Sequence, residues 1–490
     1  MSLIKSLSQF GAFHEMLQEH QASAVKKGPV VANHLLKMLD TYWILGLPYD
    51  DQLHQSMLVL CNQSIAFAPM NSVPLARAYE VRSMLLSRLN FDQNKESKGV
   101  KLNFRSDGFQ GFTPSETIPC VAECVSIHSS LRFGRQLVAN RDIKAEEIVM
   151  VEDGFAMLPK KEYTYLLCSQ CLCIAWNAVP CSACPLVIYC SEHCRASAWE
   201  NHHQVECKLL PSIYVKSDSS NWNMSISITA LRCFLSSIKV EGLENVLREA
   251  QAIDNEKDVC LESLISEQCV GVNNFKSLYR LATDKEILNI DRINKSSEFL
   301  VDTLLQFSNV LHNCTELDAV RKILAKLSLI VKVNHLKYQG SICDDYNHDC
   351  CSLNCDSIMG YFISTCSSLV NHSCTPNLGK VFIPERKIVM FAARSIKKGE
   401  QLCITYGPTL ARILNPERNA LLYRDYNVIC LCQACTQDWH PCDCLGQKSE
   451  NKKDFMYESF QTLNDKRFAL EKKLFQQYGE KYEIPDNCSE

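Results

Sequence analysis

The sequence predicts an α+β protein in which one β module is interrupted by two inserts. Short segments of strand-like composition occur on both sides of a long interruption, at residues 137–152 and again at 380–406. The interruption holds a dense cysteine cluster at 168–207 and a region of helical periodicity at 225–340. A helical region at 30–90 precedes the first strands. With 490 residues the chain is long enough for about three domains, so we expect several modules.

The helical region near the N-terminus contains "VPLARAYEVRSMLLSRL", which places Leu75, Tyr79, Met84 and Leu89 on one face at helical spacing. Its alanine-rich pattern resembles the second half of a tetratricopeptide (TPR) helix pair. A repeat fold needs about three units to bury a continuous core, so a TPR remnant and generic helical packing both stay open. The polar stretch at 92–108 then predicts a linker.

The strand-like segments are separated by charged turns or by turns that contain Pro384 and Gly399. They lie at 137–139, 147–152, 380–383, 387–393 and 401–406. In the long helical region, a stripe of 3.6-residue period predicts one buried helix face. The stripe consists of Leu317, Val320, Leu324, Leu327 and Val331. Thr315 and Asp318 stand in capping-box register at its start.

Composition argues against a membrane protein or a nucleic-acid-binding protein. Hydrophobic residues make up 46% and charged residues 22%, and a net charge of −4 gives no general attraction to phosphate backbones. The N-terminus is interrupted by Lys5, His14 and Glu15 before any long apolar run, which does not fit a signal peptide. No apolar run approaches the ~20 residues that span a bilayer. We therefore expect an intracellular protein that is a monomer, without a membrane partner or sequence-specific nucleic-acid binding.

The cysteine cluster predicts two zinc sites. The chain has 28 cysteines, and a reducing compartment favours zinc over disulfides for clustered thiols. Zinc takes four tetrahedral ligands, so eight ligands within forty residues make two sites. A segment this short, with few apolar groups to form a core, also needs a cross-link such as a bound metal ion in order to fold. The candidate ligands are Cys168, Cys171, Cys181, Cys184, Cys190, Cys194, His203 and Cys207, where His202 could replace His203 and Cys173 has no assigned partner.

The stretch "LVNHSCTPN" at 369–377 places Asn371, His372, Ser373 and Cys374 next to one another. A histidine beside a cysteine allows three interpretations. These are a thiol nucleophile with its base, a pair of metal ligands, and a polar turn without chemistry.

The spacing of the cluster and its ending "YCSEHC…W…HHQVEC" resemble a MYND zinc finger, whose ligands interleave. The resemblance assigns Cys168, Cys171, Cys190 and Cys194 to one ion, and Cys181, Cys184, His203 and Cys207 to the other. MYND fingers bind short proline-containing peptides, so it also implies a docking surface. It implies no catalysis, because four protein ligands leave no open coordination position.

Four further motifs, "RFGRQLVANRDIKAEE", "NHSCTPN", "KKGEQLCITYG" and "CLCQAC", occur in an order that resembles a SET-domain lysine methyltransferase. With a MYND finger inserted, the chain is similar to the SMYD family, in particular its TPR-bearing fourth subtype, over residues 118–440. The resemblance implies a SET β fold with a pseudoknot at the active site. The expected organisation is a TPR-like helical segment (1–105), SET N-terminal part (118–160), MYND finger (168–207), helical insert (208–340), SET core (341–410), post-SET zinc region (411–446) and helical tail (447–490).

The resemblance also implies roles for single residues. Gly134 and Arg135 match the first loop that binds S-adenosylmethionine, and Asn371 and His372 match the pair that holds the two ends of this cofactor. Tyr406 matches the catalytic tyrosine at the methyl-transfer channel, next to the cofactor, and Tyr426 matches the second catalytic tyrosine. Asn334 matches an asparagine near the lysine channel.

A third zinc ion is implied on Cys374, Cys430, Cys432 and Cys435, as in the post-SET region of this family. A zinc-bound thiolate is occupied, which disfavours the nucleophile hypothesis, while a purely structural turn at Asn371 and His372 stays open. The chain departs from the family at Gln136, where a second glycine is common, and at Val428, where an aromatic residue often stacks on adenine. The cysteine-rich segment 341–355 fits no metal template and predicts a solvent loop.

We therefore expect a protein-lysine N-methyltransferase that uses S-adenosylmethionine, carries three structural zinc ions and acts on histone or non-histone proteins in cytoplasm and nucleus. Its finger is expected to dock a proline-containing peptide, or a corepressor or deacetylase, in transcription regulation. The alternative is a scaffold in which the SET fold has lost turnover and the finger recruits a corepressor or deacetylase; Gln136 and Val428 motivate it.

Overall fold

A computed structural model describes most of the chain. The described residues are 28–44, 51–88, 112–130, 133–175, 178–220, 224–256, 273–283, 290–339, 358–383, 386–407 and 414–439. The predicted linker at 92–108, the loop at 341–355 and the tail from 447 lie outside them. Within the described ranges, no helix is both long and apolar enough to cross a bilayer.

Helices and short strands occur in successive groups along the chain. The helices are α1 (Pro29–Ile44), α2 (Asp51–Phe67), α3 (Val73–Arg88), α4 (Glu192–Ala198), α5 (Gln204–Ser220), α6 (Met224–Glu241), α7 (Leu243–Asp254), α8 (Phe275–Tyr279), α9 (Ile290–Phe307), α10 (Leu317–Asn334), α11 (Asn415–Tyr426) and α12 (Gln433–Thr436). The strands are β1 (Val125–Ser130), β2 (Gly134–Ala139), β3 (Ile148–Asp153), β4 (Ala156–Pro159), β5 (Val179–Pro180), β6 (Ile188–Tyr189), β7 (Leu336–Gln339), β8 (Ile358–Ile363), β9 (Asn371–His372), β10 (Leu378–Ile383), β11 (Lys387–Ala392) and β12 (Cys403–Ile404).

The strands form several small sheets, so the predicted α+β class is confirmed. β1 and β2 pair antiparallel, β11 lies between β10 and β3, and β8 lies between β4 and β7. Sheet β10–β11–β3 joins strands from both sides of the long interruption, with Val389 opposite Val151. The predicted strand at 401–406 is shorter than expected, since Gln401 forms an isolated bridge with Val138 and regular pairing is limited to Cys403–Ile404.

Helices α1–α3 pack against the sheets and share their core. Leu35, Ile65 and Leu85 belong to the same buried cluster as Leu137 and Met150. The face predicted for α3 is wrong in part: Leu75 packs against this core, and Leu89 lies outside the described residues. Tyr79 and Met84 are 38% and 46% exposed, because the inward face is built on Ala78, Arg82 and Leu85. Arg82 is buried because its Nε donates to Asn62 Oδ1 at 3.0 Å, a contact that apolar periodicity does not reveal.

The helical insert, α5–α10, has a core of its own that continues into the cysteine cluster. In α10 the predicted stripe is confirmed, because Val320, Leu324, Leu327 and Val331 are buried. The predicted capping box is wrong. The helix begins after Glu316 without a side-chain cap, and Asp318 instead pairs with Arg321 at 2.6 Å.

Candidate functional site

A short parallel pairing brings two distant sequence motifs together. β9 lies beside β12 with Asn371 opposite Cys403 and His372 opposite Ile404. The backbone N–H of Ser373 donates to the carbonyl of Ile404 at 2.9 Å, which extends the pairing into the turn. The "NHSC" motif and the "CITYG" motif therefore form one wall of the candidate site.

Asn371 connects this wall to the loop around Gly134, which is the first loop of the sequence analysis. Its Nδ2 donates to the carbonyls of Phe133 and Arg135, at 3.2 and 3.3 Å. Between these residues, Gly134 has a φ of +62° and open space where a Cβ would lie. A left-handed φ favours glycine. The amide is half-buried, and its Oδ1 has no protein partner among the described residues, so the loop and the strand together leave an acceptor available.

Arg135 contributes its backbone to this junction, while its side chain reaches the helical insert. Its Nη2 donates to the carbonyl of Arg280 at 2.9 Å. Burial, with the positive charge of Arg280 nearby, lowers the pKa of Arg135. The Arg280 guanidinium in turn forms a two-bond ion pair with Glu256. The insert is thus tied to the first loop through the Arg135 side chain.

Both ring nitrogens of His372 are engaged. Nδ1 accepts a hydrogen bond from the backbone N–H of Tyr406 at 3.0 Å, and Nε2 lies 3.4 Å from Cys374 Sγ. Because Nδ1 accepts, Nε2 carries the proton of the neutral ring and points it at the sulfur. Burial lowers the pKa of His372 to about 4. This histidine therefore fixes the turn through both ring nitrogens.

Two tyrosines form the adjoining wall. The Tyr406 hydroxyl donates to the carbonyl of Val370 at 2.8 Å, and the Tyr426 hydroxyl donates to the carbonyl of Tyr406 at 3.0 Å. Their ring centroids are 4.8 Å apart. Burial raises the pKa of both phenols, so they stay protonated near neutral pH. Each hydroxyl donates its hydrogen bond to a carbonyl, and its oxygen still has lone pairs that can accept a hydrogen bond.

The tyrosines border a small, partly open recess. Its other lining residues include Asn334, His335 and Val370. The Asn334 amide donates to the carbonyls of Ala282 and Ile330, at 2.7 and 2.8 Å, so the structure places this predicted residue at the recess with its donors occupied.

A buried carboxylate holds the segment that leads into Asn371. Glu152 is 4% exposed. Its Oε1 accepts from the backbone N–H of Cys366 at 2.7 Å and the Thr365 hydroxyl at 3.2 Å, and its Oε2 accepts from the N–H of Ser367 at 2.7 Å. Strand β3 thereby fixes the turn whose Val370 carbonyl orients Tyr406.

Three groups of four side chains have the composition of structural zinc sites. In each, the potential ligand atoms lie within 4.8 Å of one another. Zn–S bonds of about 2.3 Å place tetrahedral ligands about 3.8 Å apart. The measured separations match: 3.6 Å for Cys171–Cys190 and for Cys190–Cys194, 3.9 Å for Cys181–Cys207, 3.6 Å for Cys184–His203, 3.8 Å for Cys374–Cys430 and 3.5 Å for Cys374–Cys435. The donor sets fit zinc, and their members are the predicted ligands.

The ambiguity between His202 and His203 is resolved by position. His203 belongs to the second group, whereas burial lowers the pKa of His202 to about 3 and keeps it neutral outside the group. Glu206 Oε2 lies 3.7 Å from His203 Nδ1, and Oε1 accepts from Arg232 Nε at 2.8 Å. Burial alone would raise the pKa of Glu206, but the charge of Arg232 brings it down to about 2. Cys173 joins none of the three groups.

The third group joins the wall to the C-terminal helices. It contains Cys374, Cys430, Cys432 and Cys435. The fully buried Arg418 of α11 points its Nη2 at Cys435 Sγ from 3.7 Å. A guanidinium favours the thiolate form of a cysteine. A zinc ion here would join the turn that carries His372 to the segment that follows α11. It would therefore hold Tyr426, the last residue of α11, close to this turn.

Sequence reasoning missed three contributors. Arg232 and Arg418 sit on helices whose apolar periodicity gives no sign of a buried charge, and His335 stands one residue after the predicted Asn334. The only available signal for His335 was its position directly after the end of the long helix.

The SET-domain family model matches residues 134–407, more than half of the chain. Human protein-lysine N-methyltransferase SMYD4 is 23% identical over 381 residues, covering 63% of this chain and 45% of that protein. The histone-lysine N-methyltransferase ASHR1 of Arabidopsis thaliana is 23% identical, covering 70% of this chain and 60% of its own length. A SET and MYND domain-containing protein of Dictyostelium discoideum is 24% identical, covering 66% and 84%. The match thus spans less than half of the human relative.

Proposed function

The chain belongs to the SET-domain family, and from this premise we propose that it transfers a methyl group from S-adenosylmethionine to the ε-amino group of a lysine in a protein. The names of the human and plant relatives support the reaction class. The observation that carries the proposal is the Tyr406–Tyr426 pair. Both hydroxyls are fixed by backbone carbonyls next to the Asn371–His372 turn, at the edge of a recess.

The residues around the first loop fit the methyl donor. The left-handed Gly134 leaves its backbone uncovered, and the Asn371 Oδ1 is an acceptor suited to the ammonium group of a methionine moiety. These residues would hold the donor's amino-acid end. When bound, S-adenosylmethionine supplies an electrophilic methyl group on a sulfonium.

The tyrosines supply acceptors for an amine and for a methyl group with partial positive charge. Each phenol donates a hydrogen bond to a carbonyl, and the lone pairs of its oxygen remain able to accept one. Tyr426 is buried and Tyr406 is half-buried, and fixed dipoles that are shielded from water act more strongly than in bulk water. Transfer is an in-line displacement by a neutral amine, so alignment contributes much of the rate. The tyrosines orient the amine without becoming bases, because burial raises the pKa of both.

The target lysine gives its ammonium proton to solvent water before transfer; the neutral amine then forms the N–C bond as the C–S bond breaks, and S-adenosylhomocysteine leaves. His372 does not take the proton, because one nitrogen accepts from Tyr406 and the other faces Cys374. Cys374 does not act as nucleophile, since it belongs to a four-thiol group that fits zinc. The reaction therefore proceeds without a covalent intermediate on the protein. The three zinc groups stabilise the fold and take no part in the transfer.

The zinc finger carries a second, non-catalytic candidate function. Trp199 lies in the turn that follows α4 and is 37% exposed, beside His203 with ring centroids 6.1 Å apart. Proline-containing peptides dock on exposed aromatic rings. We propose that this surface binds such a peptide. Fluorescence anisotropy of a labelled oligoproline peptide tests it. Trp199→Ala should weaken binding roughly tenfold or more, whereas exposed Val240→Ala should not, and equal affinity in all three proteins would refute the surface.

The methyltransferase proposal is tested by calorimetry and by methyl transfer. S-adenosylmethionine should bind the wild type, and labelled donor should mark proteins in a heat-inactivated cell lysate. Tyr406→Phe should lower transfer by roughly tenfold or more while the donor still binds. Tyr423→Phe is the matched control, because Tyr423 lies on the same helix as Tyr426 and is 52% exposed. Neither binding nor transfer by the wild type would refute the proposal and favour a scaffold.

A further inference from the structure

His335 has a fixed tautomer. Its Nδ1 lies 2.9 Å from the carbonyl oxygen of Val331 and 3.1 Å from that of Lys332, at the C-terminal end of α10. Carbonyl oxygens only accept hydrogen bonds, so Nδ1 carries the proton. Burial lowers the pKa of His335 to about 4, which keeps the ring neutral. The Nε2 atom is therefore a bare acceptor.

The ring is also fixed in place. It stacks on Tyr426 with centroids 5.4 Å apart and an interplanar angle of 27°, and it meets Tyr361 edge to face at 5.0 Å. Only 9% of His335 is exposed, and the residue lines the recess that Tyr406 and Tyr426 border. Because Nδ1 faces the helix end, Nε2 is on the opposite edge of the ring.

This second nitrogen has no protein partner among the described residues. Nε2 is not one of the fully buried side-chain atoms without a partner, so it can be reached by a group that enters the recess. An apolar ring could stack on Tyr426 equally well. The polar edge of the ring is therefore available to a hydrogen-bond donor that enters the recess, and the amino group of a substrate side chain is such a donor.

We propose that His335 is a further residue of the amine site, and that its Nε2 accepts a hydrogen bond from the ε-amino group of the target lysine. This inference rests on the proposed methyltransferase function. With the two tyrosine oxygens, His335 gives the recess three acceptors on different backbone segments. A neutral primary amine has two N–H groups, so two of these acceptors hold it at a time while its lone pair is directed away from them. An amine that still carries hydrogen is therefore preferred over one that carries none.

A pair of nearly isosteric variants tests the hydrogen bond. Glutamine places an oxygen close to the position of Nε2, whereas methionine has the same length and only a weak acceptor. Both lose the aromatic stack equally. We expect His335→Gln to transfer label into the heat-inactivated lysate about tenfold faster than His335→Met, with equal affinity for S-adenosylmethionine by calorimetry. His335→Phe, which keeps the stack, should be as slow as His335→Met.

The controls separate the possible failures. His312→Gln, an exposed histidine of the insert, should match the wild type. Equal transfer by the glutamine and methionine variants, or wild-type transfer by His335→Phe, would overturn the role of His335 while leaving the methyltransferase proposal intact. Absence of transfer by the wild type itself would overturn both. Thermal unfolding of each variant shows whether its fold is kept, and the glutamine–methionine comparison decides the matter even if both are equally destabilised.

Discussion

The substitution Arg232→Met would leave the charge of Glu206 buried without its partner. Arg232 is 2% exposed and Glu206 is fully buried. The guanidinium of Arg232 joins three parts of the fold: its Nε donates to Glu206, its Nη1 to the carbonyls of Met157 on β4 and of Ser169, and its Nη2 to the Ser169 hydroxyl. Glu206 is next in sequence to the zinc ligand Cys207. The pair therefore connects the zinc finger to the SET sheets.

Removal of one partner from a buried ion pair costs about 3–5 kcal/mol, because the remaining charge cannot be hydrated. A domain of 150–250 residues loses about 2–4 °C of melting temperature per kcal/mol, so we expect a loss of roughly 6–20 °C. The double variant Arg232→Met/Glu206→Gln has no buried charge without a partner. It should recover at least about 2 kcal/mol relative to the sum of the single variants.

Thermal unfolding with a zinc-sensitive dye measures both effects at once. Zinc release should begin at a lower temperature in Arg232→Met, because the finger loses its anchor on β4. Arg248→Met is the control, since Arg248 is an exposed arginine of the same insert and should change the melting temperature little. A melting temperature for Arg232→Met equal to that of the control, or strictly additive single variants, would refute the connection.

Three further outcomes follow from the site. Asn371→Ala removes the two hydrogen bonds that hold the first loop, and we expect S-adenosylmethionine affinity to fall about tenfold by calorimetry with little loss of melting temperature; unchanged affinity would contradict this. Glu152→Gln replaces one acceptor oxygen by a donor facing a buried N–H, and urea unfolding should show a loss of about 1–3 kcal/mol; wild-type stability would contradict it. Metal analysis should find three zinc ions per chain and two in Cys432→Ser, whereas an unchanged zinc content would exclude this cysteine as a ligand.

Motifs with fixed ligand spacing were the most predictable part of the molecule. The members of all three metal groups follow from cysteine spacing together with family resemblance, because short chelating intervals leave few alternatives. The strands β10 and β11 follow from apolar composition bounded by turns. The choice of His203 over His202 needed the three-dimensional structure, since both are buried in the same turn.

Long-range polar contacts were beyond the reach of periodicity. The inward face of α3 includes Arg82, which is stable there only because Asn62 accepts its hydrogen bond from another helix. Asp318 was expected to cap α10, but a nearby arginine on the same helix engages it. His335 was missed for the same reason: its importance depends on a recess built from segments that are distant in sequence.

The most direct test of the account locates the transferred methyl group. Wild-type protein is incubated with methyl-labelled S-adenosylmethionine and heat-inactivated lysate, the proteins are hydrolysed, and the amino acids are separated. The account predicts label on the ε-nitrogen of lysine, with one S-adenosylhomocysteine formed per methyl group and much less label from Tyr406→Phe. Label on another amino acid, or equal labelling by Tyr406→Phe, would contradict it.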